Sequence, residues 1–183
     1  TLFRSPLTMG IYDRKEETLK ALFSDKLWTS NGILTESGDK TFWDRATLYA
    51  FRGLLMAGAT DKTIGYLKFY SSQRLLGEHV PYPIEAWPEG NKRHLSAESG
   101  LYCRVITEGL FGIEPTGFRN FKLTPRLPAD WDRMSLKNIK AFQSDFDINV
   151  TRIKDSLLVE IVSKGKIVFS SNWDGVSPIS IKL

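Results

Sequence analysis

The sequence predicts an α+β protein, with helical hairpins over residues 1–117 and a small antiparallel β domain over residues 118–183. Two observations support this division. In the first part, apolar residues recur at helical spacing and glycines stand where helices should end. After Gly117, apolar residues alternate with polar ones, which is the pattern of strands with one face in water.

Residues that start or stop helices mark out the first part. Asp13 and Glu16 form a capping box before the first helix. Gly58 can adopt the left-handed conformation that ends a helix, and the link after it is so short that the flanking helices should be antiparallel neighbours. The helices are expected to begin near Asp13, Phe42, Thr60 and Ser96.

The second part carries strand signals. Phe146, Ile148 and Val150 alternate with polar residues, and Lys154-Asp155 and Lys164-Gly165 stand where hairpin turns are expected. About six strands are predicted, which is enough for a small β-sandwich. They lie near 118–124, 134–142, 146–151, 157–161, 166–170 and 178–183.

Charge and composition restrict the partners. The net charge of +4 falls on residues 118–183, which hold 11 basic and 7 acidic residues. These cations alternate with acids, so a solvated strand face explains them better than a nucleic-acid surface does. No apolar run approaches the about 20 residues that cross a bilayer, so neither nucleic acid nor membrane is an expected partner.

Cys103 is the only cysteine, and its apolar neighbours predict a buried thiol.

A long segment rich in proline and glycine, residues 77–94, separates the third helix from the fourth, and such loops are often functional. Glu85 and Glu89, with Tyr82 and Trp87 beside them, supply the carboxylates and aromatic surfaces that cleavage of a glycosidic bond requires. Solvated loop charges with Trp87 covering the core are the alternative, and composition does not decide between the two.

Two further groups of residues are candidates for substrate binding. Trp43, Asp44 and Arg45 begin the second helix, where the helix dipole alone would also favour an acid. His94 and Glu98 precede and begin the fourth helix, where Glu98 can equally be an ordinary acid of the first turn.

No metal or cofactor is expected. His79, Glu85 and His94 do not form a compact ligand motif such as His-Glu-x-x-His, so a zinc site is disfavoured. The sequence also contains no glycine-rich nucleotide-binding loop and no Gly-x-Ser-x-Gly nucleophile turn.

Four groups of residues carry a resemblance to a known family. They are Phe42–Tyr49 with Arg52–Leu55, Ile84–Gly90 with Ser96–Tyr102, Gly109–Pro115, and the strand and proline turn Phe121–Trp131. Together they resemble the C-terminal part of the six-hairpin (α/α)6-barrel glycosidases. That superfamily includes inverting trehalases, processing α-glucosidases, α-L-rhamnosidases and the related disaccharide phosphorylases.

The resemblance implies roles for individual residues. Glu85 would be the general base that activates water, with Trp43 and Asp44 lining the sugar site and Trp87 forming a stacking wall. Glu89 is the alternative base, because Trp87-Pro88-Glu89 stands where the family has Tyr-Asn-Pro. The family's general acid lies on an earlier hairpin and has no counterpart here.

The resemblance also implies an incomplete (α/α) barrel followed by a β-sandwich. The broad apolar faces of the helices need partners, either an N-terminal part of the same polypeptide or other copies of the chain. A compact two-layer α+β domain is the alternative. The expected ligand is a carbohydrate substrate. An inverting glycoside hydrolase is the first interpretation, and an inert carbohydrate-binding or scaffold module and a sugar phosphorylase are its rivals.

Overall fold

The computed structural model describes residues 6–29, 32–38, 41–74, 86–87 and 96–183. Over these residues the chain is mixed α+β with antiparallel sheets, which confirms the predicted class. It divides into a helical unit, Thr1–Leu110, and a β unit, Phe111–Leu183. The described helices do not form an (α/α) barrel, and none of them is both long and apolar enough to cross a membrane.

The helical unit combines helices with very short strands. Its described elements, in chain order, are a 3-10 turn Pro6–Met9, α1 Lys15–Leu22, β1 Trp28–Thr29, β2 Gly32–Ile33, β3 Phe42–Trp43, α2 Asp44–Met56, α3 Thr60–Arg74, β4 Ala86–Trp87, α4 Ser96–Arg104 and a π-helix Val105–Leu110.

Helix α2 is the centre of this unit, and most of its residues are buried. The ring of Phe51 lies 5.8 Å from that of Trp28 and 5.7 Å from that of Tyr70 on α3. On another face, a Cβ added at Gly53 would lie 2.8 Å from the backbone nitrogen of Thr8. The 3-10 turn therefore packs on α2 at a distance that only glycine allows.

The helix boundaries differ from the sequence predictions at two places. Helix α1 begins at Lys15 after Arg14, whose side chain makes no capping bond, so the capping box was wrong. Helix α2 begins at Asp44, because Phe42–Trp43 pairs as a strand with β4. The predicted stop at Gly58 is confirmed by its φ of +85°.

The prediction of a buried thiol was also wrong, since Cys103 is exposed. Helix α4 ends at Arg104, and a π-helix follows it directly. In the π-helix, Val105, Gly109 and Leu110 occupy the buried positions. Leu101 and Tyr102 of α4 are half-buried, and Val105 of the π-helix takes the fully buried position that follows, which leaves Cys103 on the exposed side.

The β unit, all of which the structure describes, contains seven strands in two antiparallel sheets. Strand order is β10-β9-β8-β7 in the larger sheet and β11-β6-β5 in the smaller. The strands are β5 Ile113–Gly117, β6 Asn120–Leu123, β7 Arg133–Ala141, β8 Ser144–Ile153, β9 Ser156–Ser163, β10 Lys166–Trp173 and β11 Ile179–Lys182.

Strand β5 ends at Gly117 and so lies in the part of the sequence that was assigned to helical hairpins. It is extended because Ile113 pairs with Leu123 and Glu114 with Lys122 of β6. The unit consequently starts at Phe111, a few residues earlier than the change of sequence period.

The two sheets meet through aromatic and branched side chains. The Phe121 ring of β6 stacks 5.6 Å from the Phe146 ring of β8, and Ile148 and Val150 continue the buried face. This confirms the predicted alternation along β8. The expected turns are confirmed as well, with φ of +52° at Lys154 and +50° at Lys164.

Candidate functional site

Strand β3 joins the start of helix α2 to the segment that follows Glu85 in sequence. Phe42 pairs with Trp87 and Trp43 with Ala86, while Leu34 bridges Phe42 from the other side. The pairing therefore ends at Ala86, the residue directly after Glu85 in the chain. Two of the stretches singled out by sequence are thus adjacent in the fold.

Asp44 takes the first position of α2 and is fully buried. Trp43 before it is still extended, with φ −121° and ψ 130°, so the chain turns from strand into helix at the acid. Burial of a carboxylate is costly, and the positive end of the helix dipole reduces that cost. This placement holds an acid at the edge of the β3–β4 pair.

Arg45 ties the start of α2 to the start of α4. Its Nε donates a hydrogen bond of 2.8 Å to Oε1 of Glu98, whose side chain is 0% exposed. Among the described residues, Oε2 of Glu98 has no hydrogen-bond partner. This buried oxygen retains lone pairs for a further hydrogen bond.

A second ion-pair cluster stabilises the helical unit. Nη1 of the buried Arg52 lies 2.7 Å from Oε2 of Glu108 in the π-helix, and Arg104 Nη2 donates to the same oxygen at 3.0 Å. The hydrogen bond from Arg104 to Glu108 raises the pKa of the Arg104 guanidinium. Two guanidinium groups thus share one carboxylate, which ties α2 and α4 to the π-helix.

The candidate residues divide into two groups. The structure describes Trp43, Asp44, Arg45 and Glu98, and of Trp87 it describes the backbone. Outside the described residues lie Tyr82, Glu85, Glu89 and His94. In the part of the chain that is described, no group of three His, Cys, Asp or Glu side chains is placed to hold a metal ion.

Sequence reasoning did not find the pairing of Arg45 with Glu98, which are 53 positions apart. The available signal was weak, since each residue stands in the first turn of a helix and nothing indicates that the two helix starts are neighbours.

No protein-family model matches the sequence, and no curated protein matches it either. Among solved structures, the chain is similar to one named sialidase, with a TM-score of 0.69 and 15% sequence identity. The match covers 96% of this chain and 20% of the sialidase chain. At this identity the likeness concerns the fold, and the chain corresponds to about a fifth of the length of that protein.

Proposed function

We propose that this chain is the C-terminal portion of an inverting glycoside hydrolase that acts on oligo- or polysaccharides. Its helices would be late hairpins of an (α/α)6 barrel, and the β unit its trailing sandwich. The proposal rests chiefly on the β3–β4 pair, which joins the Trp43-Asp44 corner to the segment that follows Glu85. The fold likeness to a sialidase supports the carbohydrate theme.

Glu85 is the proposed general base. In an inverting enzyme, one carboxylate takes a proton from the attacking water while a carboxylic acid protonates the leaving oxygen from the other side of the bond. The second group would lie outside this chain, so turnover would belong to a longer polypeptide. Glu89 is the alternative base because it stands four positions further along the same segment.

The residues around the β3–β4 pair would bind the sugar. Trp43 and Trp87 offer flat apolar surfaces for a sugar ring. Asp44 and Glu98 would accept hydrogen bonds from sugar hydroxyls, and Arg45 would fix Glu98 in place. Carboxylates shielded from water also stabilise the positive charge of an oxocarbenium-like transition state.

Replacing Glu85 by Gln tests the proposed base. In the intact polypeptide, Glu85→Gln should lower kcat by about 10²- to 10⁴-fold, because the water loses its proton acceptor. Substrate binding, measured by calorimetry, should change little. Glu89→Gln is the matched control, and near-normal hydrolysis by Glu85→Gln would contradict the assignment. Loss of turnover only in Glu89→Gln would move the base to that residue.

An inert carbohydrate-binding or scaffold module is the second candidate, favoured by the ion pair that holds Glu98 as a structural carboxylate. It predicts that sugar binding survives removal of both Glu85 and Glu89 and that no glycan yields product. A sugar phosphorylase would instead show turnover that depends on added phosphate, with Lys92, Arg93 and His94 as nearby candidates in sequence.

A further inference from the structure

A groove of about 620 Å³ opens on the β unit. Three hairpin turns contribute to it, through Arg119 between β5 and β6, Gln143 between β7 and β8, and Lys164 between β9 and β10. Asp145 at the start of β8, Lys166 at the start of β10, and the hydroxyl residues Ser144 and Ser163 complete its polar lining. Its volume lies in the range of small-molecule sites, about 300–1,000 Å³.

The groove has an excess of positive charge, with Arg119, Lys164 and Lys166 set against one acid, Asp145. Among the described residues, none of these three cationic side chains makes an ion pair or a hydrogen bond. Other cationic side chains of the β unit, in contrast, make contacts within the unit. Lys137 lies 3.3 Å from the carboxylate of Asp147, and Arg152 donates to the carbonyl of Pro128 at 2.8 Å.

The backbone around the groove is held in defined turns. Phe142 and Gln143 have φ of +54° and +57°, and Lys164 and Gly165 have +50° and +74°. Two consecutive left-handed residues match the twist of a tight hairpin. Ser163 Oγ also donates to the carbonyl of Asp145 at 2.8 Å, which fixes β9 to β8 beside the groove. The lining is therefore largely formed before any ligand arrives.

We propose that this groove binds an acidic oligosaccharide, whose carboxylate or sulfate group is held by Arg119, Lys164 and Lys166. Guanidinium and ammonium groups are strong hydrogen-bond donors to such anions. Gln143 offers an amide to the sugar hydroxyls, and Ser163 Oγ keeps lone pairs that can accept from them. The proposal is independent of the function assigned to the helical unit.

The lining favours a saccharide over a nucleic acid. Proteins that bind single strands stack bases on aromatic rings, and among the described residues no aromatic side chain lines this groove. Duplex binders spread cations along a stripe that follows the phosphates, whereas these cations surround one pocket. Hydroxyl, amide and carboxylate groups between the cations suit the many hydroxyls of a sugar.

The 183-residue chain can be titrated with a galacturonate tetramer, a sulfated chondroitin tetrasaccharide and neutral maltotetraose, using calorimetry and amide NMR. One or both acidic probes should bind. Binding of the galacturonate tetramer shows that carboxylates suffice, and binding of the chondroitin probe alone, which carries both groups, shows that sulfate is required. Binding should move the amide signals of Gln143 and Ser163. It should weaken as salt is raised, because exposed charges are screened over about 10 Å at 0.1 M.

A pair of matched double variants tests the cations. Lys164→Gln with Lys166→Gln should weaken binding by about tenfold or more, since two charge-assisted contacts are lost. Lys154→Gln with Arg133→Gln removes the same charge at the opposite end of the larger sheet, and Lys154 occupies an equivalent left-handed turn position with φ of +52°. This control should leave the affinity within about twofold, because a solvated charge outside the groove contributes little.

Asp145→Asn gives a test in the opposite direction, because removal of the one acid should raise affinity for the acidic probe by about threefold. Several results would overturn the proposal: no binding of either acidic probe, equal binding of maltotetraose, equal losses in the two double variants, or tighter binding of an oligothymidylate. None of them bears on Glu85, so failure here is distinguishable from failure of the hydrolase assignment.

Discussion

The carboxylate of Glu98 is fully buried, and the partner described for it is the guanidinium of Arg45, which remains about one-third exposed. Breaking such a pair from one side leaves a charge in a medium that solvates it poorly. Glu98 also stands in the first turn of α4, where the helix dipole gives it some support. The dipole alone does not replace a charged hydrogen-bond donor at 2.8 Å.

We expect Arg45→Met to lower the free energy of unfolding by about 2–4 kcal/mol. Adding Glu98→Gln should recover part of this loss, because the uncompensated charge disappears. Urea unfolding of the two single variants and of the double variant gives the interaction energy between Arg45 and Glu98. Glu16→Gln is the control, since it removes the exposed contact of 3.9 Å with Lys15 and should cost less than about 0.5 kcal/mol. An Arg45→Met protein as stable as this control would show that the pair contributes nothing.

At the scale of the element, helix α2 depends on a close approach at Gly53. A Cβ there would lie 2.8 Å from the nitrogen of Thr8, so Gly53→Ala must displace the 3-10 turn and should cost about 1–3 kcal/mol. A Cβ added at Gly65 in α3 would point into open space. Gly65→Ala should therefore stabilise the helix by about 0.5–1 kcal/mol.

Thermal unfolding of the two alanine variants measures this contrast directly. Opposite shifts in Tm are the expected result, because both substitutions gain the same helix propensity and only one meets a neighbour. Equal shifts would mean that the 3-10 turn is not packed on α2 as described.

The shift in register between β7 and β8 depends on the carboxylate of Asp147. The register shifts between Leu136 and Ile139, and the N–H of Asn138, which has φ of +56°, donates to Asp147 at 2.8 Å. This hydrogen bond is the main reason that the pKa of Asp147 lies below its usual range. The hydrogen bond and positive charge of Lys137 lower the pKa further. The stability that this carboxylate adds is thus present above its unfolded pKa and is lost as pH falls through the lower folded value.

Acidification should therefore loosen this part of the sheet. As pH is lowered from neutral through about 4 and below, we expect the amide of Asn138 to lose its hydrogen-bonded NMR shift together with protonation of Asp147. Asp147→Asn should remove this acid transition. Asp155→Asn takes the same charge from an exposed hairpin turn and should leave it unchanged. Persistence of the Asn138 transition in Asp147→Asn would contradict the assignment.

The elements that sequence predicted well are those determined by local chemistry. Strand β8 follows from the alternation of Phe146, Ile148 and Val150, and the turn before β10 follows from Lys164-Gly165. Sequence failed where distant pairing decides. Phe42–Trp43 resembles the apolar start of a helix, yet pairing with Ala86–Trp87 makes it a strand.

The same limit applies to the candidate site and to the groove. The first turns of α2 and α4 each suggested a residue, but the contact between Arg45 and Glu98 depends on which helices are neighbours. Likewise Arg119 and Lys164 are far apart in the chain. They line one groove because two sheets place their turns together, and no local pattern carries that information.

At the scale of the whole molecule, the chain divides into two compact units. In the β unit, the apolar core includes Phe121, Leu123, Phe146, Ile161 and Ile181, and every one of its strands pairs within the unit. Residues 111–183 therefore hold the contacts that a small independent domain requires.

We expect a fragment of residues 111–183 to fold by itself. Circular dichroism should show strand structure, and urea should unfold the fragment in a single cooperative transition. The amide spectrum should overlap that of the same residues in the whole chain. A fragment without a cooperative transition would show that the helical unit is needed to complete its core.

The pairing of β11 with β6 has a consequence for the order of events during synthesis. Strands β7 to β10 form consecutive hairpins, so each can pair with its predecessor as soon as it is made. Strand β6 has β5 on one side, but its other partner is β11, which is made only after β7 to β10. Until β11 has left the ribosome, that edge of β6 stays open to pairing with other chains. Synthesis of Ile179–Lys182 thus decides when the nascent β unit loses its aggregation-prone edge.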